Sequence, residues 1–114
     1  MTAQNVHTLD SSSFQDAVAG SVGPVLVDFH AEWCPPCQVL APTIDALADA
    51  YAGRALIGKV DVDANKELAS EFDVRTIPTI LVFRDGRVVQ HLPGVKSQGE
   101  LAEALDDAGA TVAA

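Results

Sequence analysis

The stretch from Pro24 to Ala31, PVLVDFHA, constrains this chain more than any other. It is an almost unbroken apolar run rich in β-branched residues, without the polar alternation of a strand that shows one face to water. Such a run predicts a strand covered on both faces, and therefore a sheet held between two layers of helix. Its one carboxylate, Asp28, lies in the middle of it. Downstream, Leu40, Ile44, Leu47 and Tyr51 recur at helical spacing, which predicts a long covering helix from the cysteines to Tyr51 that Gly53 ends. Pro42 inside it removes one N–H and is expected to bend it.

The remaining elements alternate. Asn5–Leu9 reads as a short strand. Ser12 and Gln15 have the spacing of a capping box, opening a helix that runs to about Ala19 and stops at Gly20. Leu56–Val62 is a second core strand, and Glu67–Phe72 a short helix. Thr79–Arg84 and Arg87–Leu92 flank Asp85-Gly86, a favoured pair for a two-residue hairpin turn. Leu101, Leu105 and Ala108 place a last helix, and the tail after Gly109 is expected to fray. The two inner strands pair in parallel through the long crossover helix, and the hairpin adds antiparallel strands. The expected fold class is α/β: a mixed central sheet of about five strands with helices on both faces, in a single domain over residues 1–114.

Net charge is −9, which sets the chain against nucleic acid phosphates and against acidic membrane surfaces. No stretch approaches the roughly 20 apolar residues of a membrane helix. The N-terminal MTAQNVHTLDSSS lacks the basic and apolar regions of a secretory signal. A cytoplasmic location is the expectation, where disulfides are mostly transient and catalytic.

The chain has two cysteines, Cys34 and Cys37, in WCPPCQ. At i and i+3 on a helix they share a face, about 5–6 Å apart at Cβ, close to disulfide distance. A structural staple is a weak reading, because stabilisation grows with loop length and this loop is short. Zinc is also weak: a site needs about four ligands, no second cysteine pair exists, and His7, His30 and His91 are scattered. No metal is expected. The reading that remains is a dithiol that cycles with its disulfide, its first thiolate favoured by the free N–H groups and dipole of a helix N-terminus. From the residues alone Asp28 is either a raised-pKa proton acceptor or a strand carboxylate satisfied by hydrogen bonds or by Lys59. His30, two residues on along the same strand face, has Asp28 and Asp63 as candidate partners, with a structural role as the simpler reading.

Trp33-Cys34-Pro35-Pro36-Cys37 after a strand, with Thr76-Ile77-Pro78-Thr79 about forty residues later, resembles the thioredoxin family. Asp28, Lys59, Asp85-Gly86 and Gly94 also fall where that family has them, so the resemblance covers nearly the whole chain. It departs in Pro35, where the family usually has Gly, in His30, where it usually has Trp, and in Gln38, where a basic residue is common. The resemblance implies the thioredoxin fold and a protein-disulfide reductase, a general cytosolic electron donor acting by dithiol–disulfide exchange. Cys34 would be the exposed nucleophile, Cys37 the resolving thiol one turn deeper, Asp28 the proton acceptor and Lys59 its tuning cation. Trp33, Pro35, Pro36, Thr76, Ile77, Pro78, Gly94 and Val95 would form the substrate surface, and the Ile77–Pro78 peptide would be cis. No bound cofactor is implied; the Cys34–Cys37 disulfide would be recharged by an NADPH-dependent thioredoxin reductase. Partners would be that reductase and protein disulfides, and the chain a monomer. Alternatives are a redox-inactive binding module that uses the fold as a partner subunit, and an oxidant or isomerase.

Overall fold

The computed structural model describes residues 5–110. The ends of the expected domain, with most of the tail expected to fray, lie outside the described residues. Nine elements follow in chain order: β1 (Val6–Thr8), α1 (Phe14–Gly20), β2 (Val25–His30), α2 (Pro35–Ala50), β3 (Leu56–Asp61), α3 (Lys66–Glu71), β4 (Thr79–Arg84), β5 (Arg87–Pro93) and α4 (Gln98–Asp107). The strands form one sheet in the order β1-β3-β2-β4-β5. β3 is parallel to β1 and β2, whereas β4 is antiparallel to β2 and β5.

The central position of β2 explains its composition. Because side chains alternate along a strand, a strand buried on both faces needs apolar residues at every position. Leu26 joins Leu40, Ile44 and Leu47 of α2, Ile57, Ile80, Val82, and Leu101 and Leu105 of α4 in one core. Val25, Val27 and Phe29 join Phe14 and Val18 of α1, Val60, Leu68 of α3, Leu81 and Phe83 in the other. By this alternation Asp28 and His30 belong to the α2 face. Asp28 pairs in register with Lys59 of β3 on one side and Ile80 of β4 on the other.

Local signals account for most boundaries. Asp85 and Gly86 have φ of 54° and 79°, the left-handed pair that a two-residue hairpin requires. Pro42 lies inside α2, which remains one unbroken helix past it. α1 differs from expectation at both ends. Its N-cap is Ser13, and the Ser12–Gln15 capping box does not form. Asp10 does that work instead: its Oδ1 accepts from the N–H groups of Ser12 and Ser13 and from the Ser12 hydroxyl. The Ser12 N–H is the donor that both arrangements need, and an ionised carboxylate is a stronger acceptor for it than the neutral Gln15 amide oxygen. Gly20 is the last residue of α1 rather than a left-handed stop. A complete capping box opens α4, where Ser97 Oγ accepts from Glu100 N–H and Glu100 Oε2 accepts from Ser97 N–H.

Ser97→Ala is therefore expected to cost about 1 kcal/mol in urea denaturation, and Gln15→Ala to stay within about 0.5 kcal/mol of the parent. A Gln15→Ala loss as large as that of Ser97→Ala would contradict the reassignment of the α1 cap.

Candidate active site

The end of β2 runs through Ala31–Trp33 straight into α2, so the first turn of the helix sits at the C-terminal edge of the sheet. Cys34 is the N-cap, in extended backbone, and Pro35 and Pro36 are the first two helical residues. Proline suits these positions because its fixed φ fits and its missing N–H would have no partner inside the helix. The first N–H the helix offers is therefore that of Cys37, and it donates to Cys34 Sγ at 3.3 Å. Cys34 and Cys37 form a disulfide, with Cα atoms 5.2 Å apart.

Both cysteines are buried, Cys34 at 3% and Cys37 at 4% exposure. The expectation of an exposed Cys34 does not hold for this oxidised form. Its sulfur is bonded to Cys37, and the pair packs with Ala31 as a small apolar cluster against Val62 and Ile77. Cys34 Sγ lies 3.9 Å from the Ile77 carbonyl oxygen. The Ile77–Pro78 peptide is cis. Pro78 is buried, and its carbonyl accepts from Gly94 N–H at 2.8 Å, which ties the segment after β5 to this loop. Gly94 has φ of 87°, a conformation that favours glycine. The Thr76 carbonyl accepts from the Thr79 hydroxyl at 2.6 Å, closing the loop from the other side.

The outer surface is apolar in part. Trp33 is 67% exposed and its indole N–H donates to Asp63 Oδ2 at 2.6 Å. That bond engages the carboxylate that His30 had as a candidate partner. Pro35, Pro36, Thr76 and Val95 are exposed. Among the described residues, Val95 is not part of the apolar cluster around the disulfide. Neither the Trp33–Asp63 pair, which bridges two loops, nor the bond from the Gln38 side-chain amide to the Glu32 carbonyl is signalled by any local pattern of residues.

Behind the disulfide is a cavity of about 160 Å³ lined by Asp28, His30, Ala31, Glu32, Cys37, Gln38, Ala41 and Lys59. Asp28 is 3% exposed and no group among the described residues donates a hydrogen bond to its buried Oδ1. Lys59 lies beside it in register but is not within ion-pair distance. The reading of Asp28 as a satisfied strand carboxylate has no support in these contacts. Burial pushes its pKa up to about 7, with the Lys59 charge pulling the other way. Desolvation wins because the ammonium is not in contact. Among the described residues no group of three or more histidine, cysteine or acidic side chains is placed to hold a metal ion, and no helix is long and apolar enough to cross a membrane.

The family model described as Thioredoxin matches residues 5–107. The thioredoxin of Alicyclobacillus acidocaldarius is 41% identical over 100 residues, covering 88% of this chain and 94% of that protein. The mitochondrial thioredoxin of Mus musculus is 40% identical over 101 residues, covering 89% of this chain. The chain spans 60% of the length of that mouse relative. Among solved structures, a mutant thioredoxin from Halobacterium salinarum superposes with a TM-score of 0.86 at 31% identity, covering 99% of this chain and 98% of that one.

The buried Asp28 makes stability depend on pH. Its pKa is about 7 folded against an ordinary value of 3.8, so between these values the folded chain holds a proton that the unfolded chain has lost. Its contribution to stability is present below about pH 4 and declines as pH rises towards 7. Asp28→Asn is expected to stabilise the fold at pH 8 by up to about 4 kcal/mol, and to change it little at pH 4. Denaturant unfolding of both proteins at the two pH values is the measurement, and an equal effect at both would contradict the raised pKa.

Proposed function

Because the chain belongs to the thioredoxin family, we propose that it is a thiol–disulfide oxidoreductase that reduces protein disulfides through Cys34 and Cys37. The observation that carries this reading is the position of the pair: a disulfide in the first turn of α2, with Cys37 on the same cavity as a buried carboxylate of raised pKa. In the reduced form the Cys34 sulfur is the nucleophile. The N-terminus of α2 favours its thiolate through the dipole and the Cys37 N–H. It attacks one sulfur of the substrate disulfide; that bond breaks, the first substrate thiolate leaves, and a mixed disulfide joins Cys34 to the second.

Cys37 then resolves the mixed disulfide. Its thiol gives a proton to Asp28, and its sulfur attacks Cys34 Sγ, releasing the second substrate thiolate. A group with a pKa near the operating pH is well matched to that exchange. Lys59 tunes Asp28 by pulling its pKa back towards the ordinary range. Trp33, Pro35, Pro36, Thr76, Ile77, Pro78, Gly94 and Val95 form the surface on which the substrate chain lies, supported by the closeness of the Ile77 carbonyl to Cys34 and by the Gly94–Pro78 bond. The protein works as a monomer in the cytoplasm without a bound cofactor, as an electron donor recharged by a thioredoxin reductase that draws on NADPH.

Insulin reduction by dithiothreitol tests the reading. The wild-type chain is expected to accelerate it and Cys34→Ser to leave it at the uncatalysed rate. No acceleration by wild type would favour a redox-inactive module on the same fold. The two prolines give a second expectation. Pro35 lacks an N–H that would face the Cys34 thiolate, so Pro35→Gly is expected to favour the reduced form. The reduction potential should rise by no more than about 30 mV, the equivalent of roughly one pKa unit. Redox titration of both proteins in one glutathione buffer series measures it. A variant potential equal to or below wild type would show that the Pro35-Pro36 geometry outweighs the missing donor.

A further inference from the structure

A carboxyl group that is 3% exposed has little direct contact with the water to which the proton it takes from Cys37 can be passed. We propose that His30 relays this proton between Asp28 and the solvent. The inference rests on the acceptor role of Asp28 given above. His30 follows Asp28 by two residues on β2, so the pleat sends both side chains to the α2 face. Both line the cavity that Cys37 also lines. Asp28 is buried and His30 half-buried, so His30 has the contact with water that Asp28 lacks.

The other polar residues around the cavity are poorly suited to the task. The Lys59 ammonium has donors and no acceptor, and the Gln38 amide neither gains nor loses a proton. Glu32 is exposed to water and lies past the end of β2, where the pleat no longer sets its face. A neutral imidazole has one acceptor and one donor nitrogen, so it can receive on one side and release on the other. The His30 side chain makes no hydrogen bond among the described residues, and Asp63 is engaged by Trp33, so no side-chain partner among them holds either ring nitrogen. Asp28 lines the same cavity as the ring, and the charged groups that act on the ring are Lys59, Asp61 and Glu32. Burial holds its pKa below the ordinary histidine value, Lys59 adds to this, and Asp61 and Glu32 oppose it. Burial and Lys59 thus favour the neutral ring, the form that can accept a proton.

The steps balance. As Cys37 attacks Cys34, the bond from Cys34 to the substrate sulfur breaks and the Cys34–Cys37 bond forms. The two electrons leave with the substrate, and the Cys37 proton rests on Asp28. Asp28 passes it to the unprotonated nitrogen of His30, and the opposite N–H passes a proton to water or to a buffer base. A ring flip or exchange with solvent restores the starting tautomer. Tryptophan, usual here in the family, has only a donor, so His30 gives this chain a route that those members lack.

The test is an NMR titration of the Asp28 carboxyl carbon in oxidised protein, with His30→Trp, His30→Gln and His30→Ala beside wild type. Wild type is expected to give one averaged resonance throughout. The variants should titrate near the same pH but broaden or split at the midpoint, with proton exchange slower by at least about tenfold. Imidazole added to His30→Ala should restore averaging, whereas His30→Trp should not respond. Equally sharp averaged resonances in wild type and all folded variants would overturn the relay and leave the role of Asp28 standing. A wild-type Asp28 that does not titrate near pH 7 would instead remove the acceptor role, and the relay with it.

Discussion

A carboxyl group sealed inside the sheet is the constraint on which the rest depends. β2 must be apolar on both faces because helices cover both, yet it carries Asp28 at its middle, with no donor to its buried oxygen among the described residues. An ionised carboxylate there costs several kcal/mol, and the chain meets that cost by holding the proton instead. Lys59 is near enough to moderate the effect and too far to cancel it. Such an arrangement works against stability near neutral pH. That is intelligible if the group is kept for proton transfer at the neighbouring thiol.

The second constraint is the start of α2. Trp33 and the turn before it deliver Cys34 to the N-cap, and the two prolines strip the first turn of every N–H but that of Cys37. The nucleophile on this account thus has one backbone donor and the helix dipole to stabilise its thiolate. The same helix turns Cys37 inward, onto the cavity that Asp28 lines. One element therefore sets both the donors around Cys34 and the placement of Cys37 on the Asp28 cavity.

Strong, short-range signals made much of this legible in the sequence. The apolar run of β2, the 3.6-residue recurrence of α2, and Asp85-Gly86 each act within a few residues. The mixed sheet follows from the order of such elements. The cysteine pair and Asp28 stood out because their chemistry is improbable in their surroundings. What escaped was competition and tertiary contact. Asp10 took the Ser12 N–H that the Ser12–Gln15 pattern assigned to the Gln15 side chain, since a charged acceptor outcompetes a neutral amide. Ser97 and Glu100 formed the box that Ser12 and Gln15 did not, although the same spacing was there to be read. The Trp33–Asp63 bond joins residues on separate loops, and the burial of Cys34 follows from packing against Ile77 far along the chain. Neither is local, so neither leaves a pattern in the sequence.

The central claim is that the Asp28 carboxylate takes the Cys37 proton. Reduced protein mixed with a chromogenic aryl disulfide should release one aryl thiol as Cys34 attacks and a second as Cys37 resolves the mixed disulfide. The rate of the second phase against pH is the direct measurement. The account predicts that in wild type this rate rises with an inflection near pH 7, and that in Asp28→Asn it is slower and lacks that inflection, while the first phase is much less affected. A second phase with the same rate and the same pH profile in both proteins would contradict it.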